Sequence, residues 1–353
     1  MTVMPMIQHQ INHPAAWKGS DFKNGKSDVA FEFTAAHLKA FDEILAKIHR
    51  EKLTLNDLEL KHFDHPALNS DLKKIFAEIQ DGRGIVIMRP FPVGKYTEEE
   101  IGFLYWGIGT HFGYGVSQSV LGDRLGHVQD HTKTDPNARA YRANRELTLH
   151  TDLSDIVSLC SLQKSKTGGF SRFASAITIH NDMLQNCPDL LEALYEGYPY
   201  HRHGEQKPGD APITPHKVPL FSQKEGYLTV RYVRSYMTSA AKEMGSELPK
   251  KLNEALDYFD ALAQRSDIMF ECMLEPGEAV FVNNHVVMHA RTGFQDGDLP
   301  SERRHLLRLW LDVENGRPVV PEIDVYGTAG SGRGGVAAQE GRTPSFDQET
   351  LKY

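Results

Sequence analysis

The chain has 353 residues, 40% of them hydrophobic, enough for one large domain with a substantial core. Its 47 acidic residues against 39 basic ones leave a net charge of −8, which argues against the basic stripe that a nucleic-acid binder needs. No apolar run approaches the ~18 residues of a membrane span, so none is expected.

The first residues (Met1-Thr2-Val3-Met4-Pro5-Met6) lack a charged start followed by an apolar run, so no signal peptide is expected. Cys160, Cys187 and Cys272 are scattered, without a CxxC pairing. They fit a reducing cytoplasm, no disulfide framework, and buried packing.

Residues 1–30 are polar and mixed and read as an arm wrapped on the surface. Leu38, Phe41, Ile44, Leu45 and Ile48 recur at helical spacing over 35–50. Leu72, Ile75, Phe76 and Ile79 do the same over 70–81, with Ser70 as cap and Gly82 as stop. Gly84-Ile85-Val86-Ile87-Met88 is a buried strand, and Thr97-Glu98-Glu99-Glu100 is a capping box opening a helix through Trp106. Residues 189–196 and 249–264 are amphipathic helices, the second carrying Leu252, Leu256, Phe259 and Leu262. The other apolar runs are short and bounded by Gly or Pro. The expected fold is mainly β with α: a double-sheet jelly roll with helices packed outside. One domain spans 31–326, and the Gly-rich stretch 327–353 is expected to be a mobile tail. There are no internal repeats.

The chemistry concentrates in two places. Arg145-Glu146-Leu147-Thr148-Leu149-His150-Thr151-Asp152 is short and mixes Thr with alternating apolar residues, so it reads as a strand. Residues i and i+2 of a strand share a face, which would aim His150 and Asp152 into one cavity. Downstream, the turn Glu275-Pro276-Gly277-Glu278 leads into the strand Ala279-Val280-Phe281-Val282, and Val286-Val287-Met288 leads to His289. His285 and His289 are four apart, yet the Glu that a zincin needs after the first His is replaced by Val286, so His285 reads as a supporting or surface residue. Two His and one carboxylate on one triangular face of a metal leave positions for a bidentate cosubstrate and dioxygen, the pattern of non-haem Fe(II). On the strand Arg304-His305-Leu306-Leu307-Arg308-Leu309-Trp310-Leu311, alternation puts Arg304, Leu306, Arg308 and Trp310 on one face and Leu307, Leu309 and Leu311 on the other. Two inward arginines are costly unless they meet anions.

Together these residues resemble the TauD/TfdA family of Fe(II)- and 2-oxoglutarate-dependent dioxygenases, over roughly residues 80–326. His150 and Asp152 match the family's HxD, His289 its distal His, and Asn284 an Asn commonly found five residues before it. Gly168-Gly169-Phe170-Ser171 resembles a GG-x-[ST] segment whose hydroxyl touches 2-oxoglutarate. The resemblance gives Arg304 the distal carboxylate of 2-oxoglutarate and Arg308 the anionic end of the substrate. The insertion Gln295-Asp296-Gly297-Asp298-Leu299-Pro300 makes that register dependent on the alignment, with Arg303 as the substitute. Asp152 is present where a halogenase has Ala or Gly, which disfavours halogenation.

The resemblance implies Fe(II), 2-oxoglutarate and O2, release of succinate and CO2, and oxidation of a small molecule by hydroxylation, desaturation or cyclisation. Gln118, Arg142, Asn144, Arg234, Asn284 and Arg308 are candidate substrate contacts, with Arg231 a further one. The inward arginines favour an acidic or zwitterionic substrate. The loop 200–215, with Pro208, Gly209, Pro212 and Pro215, reads as a lid whose histidines face solvent. The competing readings are a non-catalytic jelly-roll protein that binds a ligand or metal, and a zinc hydrolase on the same ligands. Intact His150, Asp152, His289 and Arg304 count against the first, and the inward arginine and the Gly168–Ser171 segment have no job in the second. A homo-oligomer is left open.

Overall fold

The computed structural model describes residues 5–132, 142–327 and 335–341. The larger sheet runs in the order β1 (Ala30–Glu32), β2 (Ile85–Arg89), β12 (Ala279–Asn283), β6 (Ile156–Gln163), β15 (His305–Asp312) and β3 (Tyr114–Gly115), with β4 (Leu125–Val128) also paired to β15. All of these pairings are antiparallel except β1 with β2. The smaller sheet has the order β11 (Phe270–Cys272), β8 (Ser171–Ser175), β13 (Val287–Arg291) and β5 (Leu147–His150). Two short ribbons complete the strands: β9 (Phe221–Lys224) with β10 (Tyr227–Val230), and β7 (Thr167–Gly168) with β14 (Phe294–Gln295).

Two-residue alternation divides the larger sheet between two cores. Leu306 and Trp310 of β15, Val280 and Val282 of β12, and Ile85 and Ile87 of β2 face the inner core. Leu307, Leu309, Leu311, Ala279, Phe281, Val86 and Met88 face the outer one, which the helices α1 (Ala35–Glu51), α3 (Pro66–Asp81) and α4 (Glu98–Thr110) cover. The split predicted for residues 304–311 is therefore what β15 does from Leu306 to Leu311, while Arg304 precedes the strand. Phe281 is fully buried at the centre of the outer core, edge-on to Phe112 at 5.2 Å.

Helical residues outnumber strand residues among those described, so the molecule is mixed α/β rather than mainly β. Much of the excess was hidden. Ala176-Ile177-Thr178-Ile179 is rich in β-branched residues and no helix is expected there, yet it opens helix α5 (Ala176–Asn186), because Ser175 accepts a hydrogen bond from Thr178 N and caps it. Beyond the short α2 (Leu60–Phe63) come α6 (Pro188–Glu196), α7 (Arg234–Glu243) and α8 (Lys250–Ala263), and α5, α6 and α8 pack on one another. Helix α3 starts at Pro66 rather than Ser70, since proline is favoured in a first turn and His65 caps it. Helix α4 runs past Trp106 to Thr110.

Both ends of the chain differ from expectation. In the N-terminal arm, Ile7, Ala15, Trp17, Phe22 and Val29 are buried in the inner core. Trp17 Nε1 donates to Arg83 O at 2.8 Å, and Thr178 Oγ1 donates to Trp17 O at 2.7 Å, so the arm is built in rather than laid on. In the tail, residues 335–341 are held in place: Val336 is buried, Val336 N donates to Ser117 O, and Gln339 Nε2 donates to the carbonyls of Glu205 and Gln206. The rest of that tail lies outside the described residues. No helix among the described residues is long and apolar enough to cross a membrane.

Replacing Phe281 by Ala is expected to cost about 3–5 kcal/mol, the usual penalty for emptying a large aromatic site. A urea titration should show a lower midpoint with an unchanged slope.

Candidate metal centre

The smaller sheet makes the first contact of the site. Strands β5 and β13 pair in a register that sets His150 directly across from His289. The two rings lie 4.3 Å apart between centroids. The chain then leaves the sheet: β5 ends at His150, and Thr151 N donates instead to Tyr232 O at 2.8 Å. The continuous strand expected through Asp152 does not form. A turn-like path brings the carboxylate back beside the histidines, and two side chains fix that path. Asp152 N donates to Asn284 Oδ1 at 3.0 Å, Asn284 Nδ2 donates to the carbonyls of Asp152 (2.6 Å) and Ser154 (2.8 Å), and Arg231 donates to the Asp152 carbonyl.

Asp152 Oδ1 lies 3.7 Å from His150 Nε2, and Oδ2 lies 3.5 Å from His289 Nε2. One ligand atom from each residue falls within 4.8 Å of the others. Hydrogen bonds decide which atoms are available to a cation. His150 Nδ1 donates to Thr148 O at 2.8 Å, which leaves the Nε2 lone pair facing inward. Trp310 Nε1 donates to Asp152 Oδ2 at 2.8 Å, which leaves Oδ1 as the less encumbered oxygen. Burial and the neighbouring His289 push the His150 imidazole down to about 4, so it is a neutral donor at physiological pH. Burial alone would raise Asp152, but the hydrogen bond and charge of His289, with the charges of Arg308 and His150, hold it well below the usual carboxylate range. Two imidazoles, that of His150 neutral, and one ionised carboxylate suit a divalent first-row metal. Glu98, His127 and His305 also cluster. There one hydrogen bond between His305 Nε2 and His127 Nδ1 at 2.9 Å occupies a ring nitrogen of each, and both rings lie 3.6 Å from Glu98.

The cavity in front of these ligands is lined by Val128, Leu147, Leu159, Ser171, Ala290, Arg291, Arg304 and Arg308. Arg291, Arg304 and Arg308 are each at most 6% exposed. Burial and the charge of Arg291 push the Arg304 guanidinium down to about 9. Gly169, at φ +78°, makes room for Arg304: a Cβ there would meet Arg304 Nε at 3.3 Å and Ser165 Oγ at 2.9 Å. Ser171, on β8, is the register partner of Arg291 on β13. Sequence reasoning missed Arg291, although the signal was present, two residues after His289 on the same strand face.

Several expected substrate contacts have other jobs. Asn284 is consumed by the Asp152 turn. Gln118 accepts from Arg308 Nε at 2.5 Å and donates to Arg308 O at 2.9 Å, so it orients that arginine. Arg234 pairs with Asp257 and Asp260 on α8, away from the cavity, because its helix turns it outward. Asn144 is exposed and contributes its carbonyl to Phe294 N; Arg142 likewise contributes its carbonyl, to His131 N, and neither lines the cavity. Tyr141, in the same segment, lies outside the described residues. Arg303, the substitute for Arg304, is absent from the lining. His285 is neither a ligand nor a surface residue: it is buried against Asp155 at 2.7 Å. In the loop 200–215, His203 is buried rather than solvent-facing, and Arg202 Nε donates to Val325 O at 2.7 Å.

The family model described as "Taurine catabolism dioxygenase TauD, TfdA family" matches residues 49–310. The chain is 33% identical over 291 residues to FR-33289 synthase of Streptomyces rubellomurinus, covering 80% of this chain and 85% of that protein. It is 27% identical over 314 residues to the taurine hydroxylase-like protein SAT17 of Stachybotrys chartarum, covering 85% and 79%. Among solved structures, asparagine oxygenase in complex with Fe(II), 2S,3S-3-hydroxyasparagine and succinate superposes with a TM-score of 0.65 at 14% identity, over 88% of this chain and 100% of that one. The non-heme iron oxygenase OrfP in complex with Fe and alpha-ketoglutaric acid superposes with a TM-score of 0.59 at 15% identity, over 81% and 94%. At these identities the two structures share the fold.

Trp310→Phe keeps the ring and removes its donor to Asp152. Affinity for a divalent metal, read by competition with a chromophoric chelator, is expected to fall ~10–100-fold, as for other lost partners of ligand side chains. An unchanged affinity with unchanged circular dichroism would mean that the indole only fills space.

Proposed function

Since the chain belongs to the TauD/TfdA family of dioxygenases, we propose that it oxidises an unactivated carbon of a small acidic or zwitterionic molecule, with hydroxylation as the default outcome. The protein is an Fe(II)- and 2-oxoglutarate-dependent dioxygenase, and O2 is its other cosubstrate. In our reading His150, Asp152 and His289 hold the iron, Arg304 and Ser171 hold the distal carboxylate of 2-oxoglutarate, and Arg308 faces the substrate. The observation that carries this is the meeting, in one cavity, of a two-His, one-carboxylate set from the smaller sheet and its exit turn with buried arginines from the larger sheet.

When bound, the iron and 2-oxoglutarate supply the oxidative chemistry: the keto acid loses CO2 to become succinate, and one oxygen atom of O2 is left for the substrate C–H bond. The chain's own residues position and insulate. His150 presents a neutral Nε2 because its Nδ1 proton is held by Thr148 O. Asp152 brings the negative charge, and Trp310 fixes its plane. Arg304 is an anion receptor prepared in advance: Phe294 lies 5.3 Å beneath its guanidinium, and its Nη1 is buried with no partner among the described residues. Arg308 is locked by Gln118 and lies over the Trp310 ring at 5.0 Å, so a second anionic group would meet a cation of fixed direction. Leu147, Leu159 and Val128 supply apolar walls that keep water from the reacting carbon.

An acidic or zwitterionic substrate follows from there being more buried cations than one cosubstrate carboxylate requires. Asparagine oxygenase and OrfP hold hydroxylated asparagine and arginine, each carrying a carboxylate and an amine, which supports the same substrate class here. Desaturation or ring closure would use the same residues.

His289→Ala should abolish succinate formation from 2-oxoglutarate while leaving the circular dichroism intact; comparable turnover in that variant would refute the ligand assignment. Arg304→Leu should sharply raise the 2-oxoglutarate concentration needed for half-maximal turnover, since a charge-assisted pair lost from a buried site is worth about 3–5 kcal/mol. An unaltered requirement would move that role to another arginine.

A further inference from the structure

Arg291 follows the metal-ligand candidate His289 by two residues on β13, so the two side chains leave the same face of the smaller sheet. It is 5% exposed, and most of its guanidinium is committed to the backbone. Nη2 donates to Ala143 O at 2.9 Å and to Arg145 O, and Nε donates to Thr292 O at 3.3 Å. Those bonds fix the plane of the group and leave Nη1 over. Nη1 is buried and meets no acceptor among the described residues, and the residue lines the cavity.

Arg304 stands in the same condition, its Nη1 also buried and unpartnered. The two guanidiniums share one aromatic ring: Arg291 Cζ lies 4.7 Å and Arg304 Cζ 5.3 Å from the centroid of Phe294. Two dehydrated cations against one ring repel each other, and the ring quadrupole offsets only part of that. The acids that act on these cations, Asp130 and Asp296, are bonded elsewhere: Asp130 Oδ1 accepts from Thr132 and Asp296 Oδ1 from the backbone N of Arg304. A carboxylate bound in the cavity that both residues line would offer an acceptor to each unmet donor. The hydroxyl of Ser171, opposite Arg291 in the β8–β13 register, adds a third donor of suitable chemistry.

We propose that Arg291 is a second cationic ligand for the distal carboxylate of 2-oxoglutarate, so that this group is clamped between Arg291 and Arg304 rather than held by Arg304 alone. The inference rests on the proposed function and assigns a residue that the motif comparison left out. It also gives a reason for strand β13 to carry ligands for both metal and cosubstrate: one strand then fixes the separation at which the two ends of a flexible five-carbon acid are held.

The test compares Arg291→Gln and Arg291→Lys with the unaltered protein, each loaded anaerobically with Fe(II). The visible charge-transfer band of the metal–keto-acid chelate is titrated with 2-oxoglutarate and, separately, with 2-oxobutyrate, which lacks the distal carboxylate. The expected result is a Kd for 2-oxoglutarate raised 10-fold or more in Arg291→Gln and less in Arg291→Lys, with the weak binding of 2-oxobutyrate unchanged in both. A Kd for 2-oxoglutarate unchanged in Arg291→Gln would overturn the clamp and reduce Arg291 to a brace for residues 143–145. Equal weakening toward both acids would overturn it too, since the lesion would then lie at the metal. Should Arg291→Gln fail to fold by circular dichroism, Arg291→Lys decides by the same comparison. Failure of the clamp is distinguishable from failure of the proposed function: in the first case the unaltered protein still develops the band, and Arg304→Leu still weakens it; in the second no band appears in the unaltered protein.

Discussion

The structure depends on one electrostatic constraint: imidazoles, a carboxylate and three guanidiniums are dehydrated together inside an apolar sandwich. Burying a charge is costly unless it is paired or ligates an ion, and burying like charges side by side is worse. The fold meets this cost by rigidity. The cations ride on β13 and at the start of and within β15, strands whose other neighbours are Leu, Val and Trp side chains with no freedom to rearrange. Arg304 cannot swing out to water, because Gly169 and Phe294 enclose it. A site of this kind is prepared for anions and a divalent metal before either arrives, which is what lowers the ordering cost of binding.

Behind the ligands lies a second polar layer. Asp155 accepts from His285 through one oxygen and from Val313 N through the other, and its carbonyl accepts from Asn284 N. Burial lowers the His285 imidazole, while Asp155 raises it, so the pair is held together by geometry more than by full charge separation. Arg231, buried against the same turn, donates to the Asp152 carbonyl. These residues touch neither the cavity nor its contents. They hold the exit turn after His150 in the one path that returns Asp152 to the histidines, and such supporting layers commonly decide whether a metal site has the right shape.

What was legible in the sequence follows from this division. His150, Asp152 and His289 could be singled out as ligand candidates because metal chemistry demands those residue types whatever the backbone does between them, and the fold brings them together. Arg308 could be placed on the cavity side because two-residue alternation holds along β15, and Arg304, one residue before the strand, lines the same cavity. The path between His150 and Asp152 was not legible: it depends on Asn284, 132 residues away, and local pattern knows nothing of such a partner. For the same reason Asn284 and Gln118 looked like substrate contacts, since a polar residue near a motif does not reveal what it already bonds. Arg234 was misplaced because its partners, Asp257 and Asp260, sit on a different helix. Helix α5 was hidden by β-branched residues whose strand preference tertiary packing overrides. The N-terminal arm looked polar because its few apolar residues have no period, yet Trp17 and Phe22 pack on each other at 5.1 Å inside the core.

Trp310 joins the two halves of the site. Its indole N–H fixes the carboxylate of Asp152, and its ring lies beneath the guanidinium of Arg308. Arg308 is in turn set by Gln118, whose amide also reaches the carbonyls of Arg308 and Arg124. A chain of direct contacts thus runs from the metal-ligand candidate through one aromatic ring to the cation assigned to the substrate, and on to the loop that precedes β4. Movement of any member displaces the next, because the ring has no room to turn: it is 2% exposed and packed in the inner core. In a reaction that oxidises an unactivated carbon, selectivity is set by the distance between that carbon and the metal. Here that distance would be carried by a single buried side chain rather than by two independent walls.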